Sequence, residues 1–127
     1  MTAVVEPVDA FDLPDWLGTA EVTWTALSSV RGANRIQGLL RAQECELACD
    51  LVAADVAYPE PLLSETWRRQ AHQAWEHGQV LLLSYDDRLT LAVPGTAYSA
   101  DGALETVGRL AKAVGVRPGR FTVCLRL

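Results

Sequence analysis

The stretch ECELACDL, residues 44–51, decides how this chain folds. Read as a helix at 100° per residue, it gathers Cys45, Cys49, Val52 and Val56 on one side but leaves Leu47 and Leu51 among the acidic residues. Read as a strand, it puts Cys45, Leu47, Cys49 and Leu51 on one face. The strand reading keeps both leucines with the cysteines, so a strand is expected here. It ends at AYPEP, residues 57–61, because two prolines two apart cannot continue a ladder.

The same choice governs the chemistry. Cys45 and Cys49 are followed, after 22 residues, by His72 and His77, an inventory that raises the question of zinc. In an extended segment the two cysteine Cα atoms stand roughly 13 Å apart at ~3.3 Å per residue. Two thiolates on one zinc lie roughly 4 Å from each other, and a disulfide requires Cα atoms about 4.4–6.8 Å apart. The interval between the pairs also exceeds the ~12–15 residues of a zinc finger. On a helix, positions five apart diverge by some 140°, so His72 and His77 do not share a face. No metal site is expected. The cysteines read as small core residues, and His77 as a partner for the last carbonyls of its helix.

Working outward, TAEVTWTAL (19–27) alternates Ala20, Val22, Trp24 and Ala26 against Glu21, Thr23 and Thr25, the pattern of a half-buried strand. RIQGLLRA (35–42) supplies a second strand, with Gly38 as the place for a bulge. LLSETWRRQAHQAWEHG (62–78) is the clearest helix, with Ser64 as N-cap, Gly78 after its end, and Leu63, Trp67, Ala71, Ala74 and Trp75 as the buried stripe. QVLLLSYDDRLTLAVPG (79–95) is a hairpin turning at Asp86-Asp87. SADGALETVGRLAKAVG (99–115) is a second amphipathic helix, and GRFTVCLRL (119–127) a last strand.

The order β-β-β-α-β-β-α-β predicts an α+β domain over residues 1–127, with a largely antiparallel sheet and two helices packed on one face. Its last six elements fit a ferredoxin-like core carrying an N-terminal β extension. A tight connection between residues 42 and 45 conflicts with that topology, because it places the second strand beside the third. The alternative is a three-strand meander followed by helix, hairpin and helix, similar in order to secretion-chaperone-like folds, with an extra final strand. Residues 1–18 form an acidic arm whose Phe11, Leu13, Trp16 and Leu17 favour docking over exposure.

At 127 residues the chain can bury a core unaided. With 16 acidic residues against 11 Lys and Arg, it is a poor match for nucleic acid. Three cysteines, no positively charged leader and no apolar run near the ~20 residues of a membrane span predict a cytoplasmic protein with reduced thiols, bound neither to membrane nor to nucleic acid. No P-loop, G-x-G-x-x-G or G-x-S-x-G stands in the sequence, so no cofactor is expected. The proton-transfer residues Asp50, Asp55, Tyr58, His72 and Glu76 fall in no spacing that specifies a reaction.

One feature of the hairpin invites an interaction. Val80, Leu82 and Ser84 share a face with Leu89, Leu91 and Val93. The opposite face carries Leu81, Leu83 and Tyr85 beside Arg88, Thr90 and Ala92, too apolar for a solvated surface. The arm or a second copy is expected to cover it. The functional expectation is therefore a binding or interaction domain without catalysis, acting as a homodimer through Leu81, Leu83 and Tyr85. A protein partner could use the helix face Arg68, Arg69, His72, Gln73 and Glu76. The alternative is a small-molecule or anion-binding protein, extending to a small enzyme. Its pocket would lie between the sheet and the 28–34 and 94–101 loops, lined by Arg31, Tyr58, His72 and Tyr98.

Overall fold

The computed structural model describes residues 4–55 and 61–127. The stretch that opened the reading is a strand: Cys45–Ala53 is extended throughout and is the longest in the sheet. In chain order the strands are β1 (Val5–Pro7), β2 (Val22–Ala26), β3 (Arg35–Ile36), β4 (Gly38–Ala42), β5 (Cys45–Ala53), β6 (Leu81–Tyr85), β7 (Arg88–Val93) and β8 (Phe121–Cys124). The helices are α1 (Trp16–Thr19), α2 (Glu65–Glu76) and α3 (Ala100–Ala113). The class is α+β, and no described helix is long and apolar enough to cross a membrane.

The sheet runs β1-β6-β7-β5-β4-β2-β8, with β3 pairing β5. Most neighbours are antiparallel, but β5 pairs β7 and β2 pairs β8 in parallel, so the sheet is mixed. This resolves the conflict posed by residues 42–45. The short turn after β4 pairs Ala42 with Cys45 and keeps β4 beside β5. The ferredoxin-like core is therefore not formed: β4 and β2 stand between β5 and β8, and β8 closes the far edge against β2.

The two long helices do not share a face. β7 shows why. Leu89, Leu91 and Val93 belong to one apolar cluster with Ala103, Val107 and Leu110 of α3, whereas Ala92 belongs to a second with Leu63 and with Ala71 of α2. Successive residues of a strand point to opposite sides, so α3 covers one face and α2 the other. A central hairpin apolar on both sides requires this arrangement. The outer stripe is thus covered by α2: Leu83 is fully buried, with Leu81 and Tyr85 packed around the same cluster.

The arm docks as β1, a 3-10 turn at Ala10–Asp12 and α1. β1 pairs with β6, setting Val5 opposite Tyr85 and Pro7 opposite Leu83. Val8, Ala10, Leu13 and Trp16 pack against the α3-side core, and Leu17 is wholly buried. Phe11 departs from expectation, since it stands 95% exposed on the outside of the 3-10 turn.

Local signals fixed the element ends. The Ser64 hydroxyl accepts from Trp67 N–H at the start of α2, and Ser99 accepts from Gly102 N–H at the start of α3. Asp86 and Asp87 both take positive φ, the requirement of a two-residue type I′ turn. The end of α2 differs from expectation. The His77 backbone N–H meets the carbonyls of Gln73 and Ala74, but the side chain that serves this end is Arg109 of α3: Nη1 donates to Trp75 O and to Gln79 O just beyond the helix at 2.9 Å each, and the guanidinium lies 3.4 Å from the Trp75 ring centre. This cation joins the two helix layers around the end of the sheet.

Trp67 and Trp75 were expected to share one core stripe. Both are half-buried, and they serve different sides, Trp67 the α2 cluster and Trp75 the α3 cluster. We therefore expect Trp67→Ala to cost about 1.5–3 kcal/mol, less than full burial would imply. Urea denaturation measures this directly, and a loss above that range would place Trp67 deeper than the structure does.

Candidate functional site

β5 carries a charged residue into the interior. Asp50 has no solvent exposure, yet it lies on the α2 side of the sheet, between Ala48 and Val52. A buried carboxylate is tolerated only when paired and hydrogen-bonded. Arg88 grips it as a fork, Nε donating to Oδ2 at 2.8 Å and Nη2 to Oδ1 at 2.9 Å. Arg35 adds Nη2 to Oδ2 at 3.4 Å, and Gly38 N–H donates to Oδ1 at 3.1 Å. Arg35 also reaches Asp86 at 3.3 Å and lies 4.6 Å from the Tyr85 ring centre. The bonds to Asp50 hold the Arg88 guanidinium above its ordinary pKa, against the opposing effect of burial.

The backbone explains why the carboxylate is there. Ile36 pairs with Leu51 and Leu39 with Ala48, so the strand passes Gln37 and Gly38 without a register shift. This is a gap in the ladder and not the bulge expected at Gly38. The orphaned groups find side chains instead: Asp50 takes Gly38 N–H, and the buried Trp24 indole donates to Cys49 O at 2.9 Å. Glycine is required, because a Cβ at position 38 would collide with the Trp24 ring.

A second polar pair joins the end of β5 to α2. His72 Nε2 lies 3.0 Å from both oxygens of Asp55, and Gly95 N–H donates to Asp55 Oδ2 at 3.0 Å. Carboxylate on imidazole is the orienting half of a general-base arrangement. No described hydroxyl or thiol is hydrogen-bonded to His72. The geometry ties a helix to two loops and defines no nucleophile.

Of the residues expected to line a pocket, the described ones, Arg31, His72 and Tyr98, share no hydrogen bond or ion pair. Tyr98 is buried, its hydroxyl donating to Val52 O at 2.7 Å, and burial holds its pKa above the ordinary range. Arg31 is exposed on its loop and His72 is exposed on α2; Tyr58 lies outside the described residues. The 28–34 and 94–101 loops are stitched to each other, Tyr98 N–H donating to Ala33 O at 2.9 Å. Among the described residues an open groove of about 880 Å³ lies between the arm, the start of β6 and the end of α3, bordered by Asp9, Asp12 and Lys112. Cys49 is a core thiol whose pKa is raised, first by burial and then by Asp50, while Cys45 and Cys124 are exposed.

Sequence reasoning named Asp50 as a proton-transfer residue but did not join it to Arg35 and Arg88. A signal was available: one charged residue in the otherwise apolar run ACDLVAA, since a charge inside a strand apolar on both faces needs a cation beside it. The three residues are far apart in sequence, and only the pairing of β3, β5 and β7 brings them together. In comparisons with known proteins, no family model, no curated protein and no solved structure matches this chain.

Proposed function

We propose that this chain is a non-catalytic binding domain that self-associates through the uncovered half of its sheet. Unequal coverage carries the reading. On the side that α2 occupies, the helix packs over β6, β7 and the end of β5. The other half presents Thr122 and Cys124 of β8, Thr23 and Thr25 of β2, Leu39 of β4 and Ala48 of β5, and among the described residues neither apolar cluster includes any of these six.

Charge supports a second copy as the occupant. The chain carries a net charge of −5, which opposes approach of like surfaces. On this half-face Arg41 and Glu46 pair at 3.0 Å and offset each other, and the six residues above are uncharged. A two-fold contact would bring each uncharged strip against its own copy. Strand spacing makes the strip roughly 15–20 Å wide, which suits a weak dimer and not an obligate one. The polar groups support the absence of catalysis: Asp50, Asp55, Arg109 and Tyr98 are each engaged in bonds that hold the fold. The meander, helix, hairpin, helix order is similar to that of secretion-chaperone-like folds, a likeness of order that transfers no function.

Sedimentation equilibrium at high micromolar concentration tests this. The wild-type chain is expected to dimerise, and Leu39→Arg to remain monomeric with native circular dichroism, because position 39 faces away from the α3-side core. A wild-type monomer would overturn self-association. A Leu39→Arg dimer would move it to another surface.

A further inference from the structure

The sheet has two edges of different character. β1, at one end, is three residues long and contains Glu6 and Pro7, features that blunt an edge against further pairing. β8, at the other, reads Phe121-Thr122-Val123-Cys124, with no proline, no charge and no bulge. It pairs with β2 on one side only, so alternate backbone N–H and C=O groups point outward.

A second observation stands at the head of this edge. A polar pocket of about 400 Å³ is lined by Gly18, Gly115, Val116, Arg117 and Arg120. The 3-10 turn of residues 118–120, closed by Arg120 N–H on Arg117 O, sets the two arginines three residues apart, where side chains eclipse on one side of the turn. Arg120 is steadied by Thr19 O at 3.4 Å. Among the described residues neither arginine has a carboxylate within ion-pair distance, Glu21 at the head of β2 included. In a chain with an excess of acid, two unpaired arginines on one pocket are a local inversion of charge. Arg126 adds a third beyond the other end of the strand, held by Leu27 O at 3.3 Å.

We propose that the β8 edge, with the Arg117–Arg120 pocket at its head, is a docking site for an extended peptide that carries acidic residues beside a β-forming centre. Main-chain bonds along β8 would supply affinity, and the arginines the choice of partner. Charge argues against a second copy as occupant. Two β8 strands paired antiparallel about Val123 would set Arg120 of one opposite Arg126 of the other, and like charges directly opposite destabilise a pair. The proposal rests on the chain being a binding domain but not on the dimer.

The test is fluorescence anisotropy with a short dye-labelled peptide of alternating valine and threonine flanked by glutamate pairs, titrated with wild-type protein and with Leu39→Arg. Both are expected to bind. A lysine-flanked peptide, and one methylated on its backbone nitrogens, should each bind at least about ten-fold more weakly, as should Arg117→Glu/Arg120→Glu protein. Absence of binding at millimolar protein, or equal binding of the lysine or methylated peptide, overturns the edge site. The peptide variants keep the test decisive even where a protein variant fails to fold. A wild-type dimer that ignores the peptide would sink this proposal alone; a monomeric wild type that binds it would sink the dimer alone.

Discussion

Asp50→Ala is expected to destabilise the fold by about 3 kcal/mol or more. The carboxylate is completely enclosed and receives Arg88 as a fork, Arg35 and the Gly38 N–H. Removing it leaves two guanidinium groups beside each other and a backbone donor without a partner. The arginine side chains are 26% and 31% exposed, so water can reach part of each charge and the loss should fall toward the lower end of the ~3–5 kcal/mol found on breaking buried pairs. Asp50→Asn keeps an acceptor for Gly38 and loses the charge, so it should fall between Asp50→Ala and wild type. Urea denaturation gives the ranking, and a double-mutant cycle with Arg88→Ala gives the coupling, expected above about 1 kcal/mol. Wild-type stability in Asp50→Ala would mean that the cluster contributes nothing to the fold. Asp50 would then be free for a chemical role.

That cluster marks where sequence reading stops. Period-two and period-3.6 patterns are local, and they placed β5, the hairpin with its turn at Asp86-Asp87, both long helices and the Ser64 cap, because each depends on residues within a turn or two of one another. Strand order depends on which edges meet. Arg35, Asp50 and Arg88 touch because β3 and β7 flank β5, a fact no window of sequence contains. The side each helix covers was half-legible. The apolar outer stripe of the hairpin showed that something covers it, but a helix pattern states only that one side is apolar, not which sheet face it meets. The stripe is equally compatible with the arm or a second copy as its cover, and nothing local separates the face of α2 from that of α3. Gly38 shows a similar limit: its role is set by Trp24, 14 residues earlier, whose indole occupies the space a side chain would need.

The same substitution placed on the two halves of one sheet face gives opposite expected results, and the contrast tests that placement. Leu83 has no exposure and packs in the cluster of Val52, Leu63, Ala71 and Ala92, with β1 pairing beyond it at Pro7. Leu83→Arg forces a guanidinium into this layer without a carboxylate to receive it, and removes the leucine as well. Losing the leucine alone is worth about 2–5 kcal/mol, and an unpaired buried charge adds more. The sum reaches the ~5–15 kcal/mol that holds a typical domain together. We expect Leu83→Arg to lose its near-ultraviolet circular dichroism and its dispersed amide spectrum at 25 °C. Leu39→Arg, on the half of the same face that lies outside both apolar clusters, should keep both and stay within about 1 kcal/mol of wild type. Were Leu83→Arg to remain folded and merely alter self-association, the outer stripe of the hairpin would face solvent or another copy, and α2 would not lie where the structure puts it.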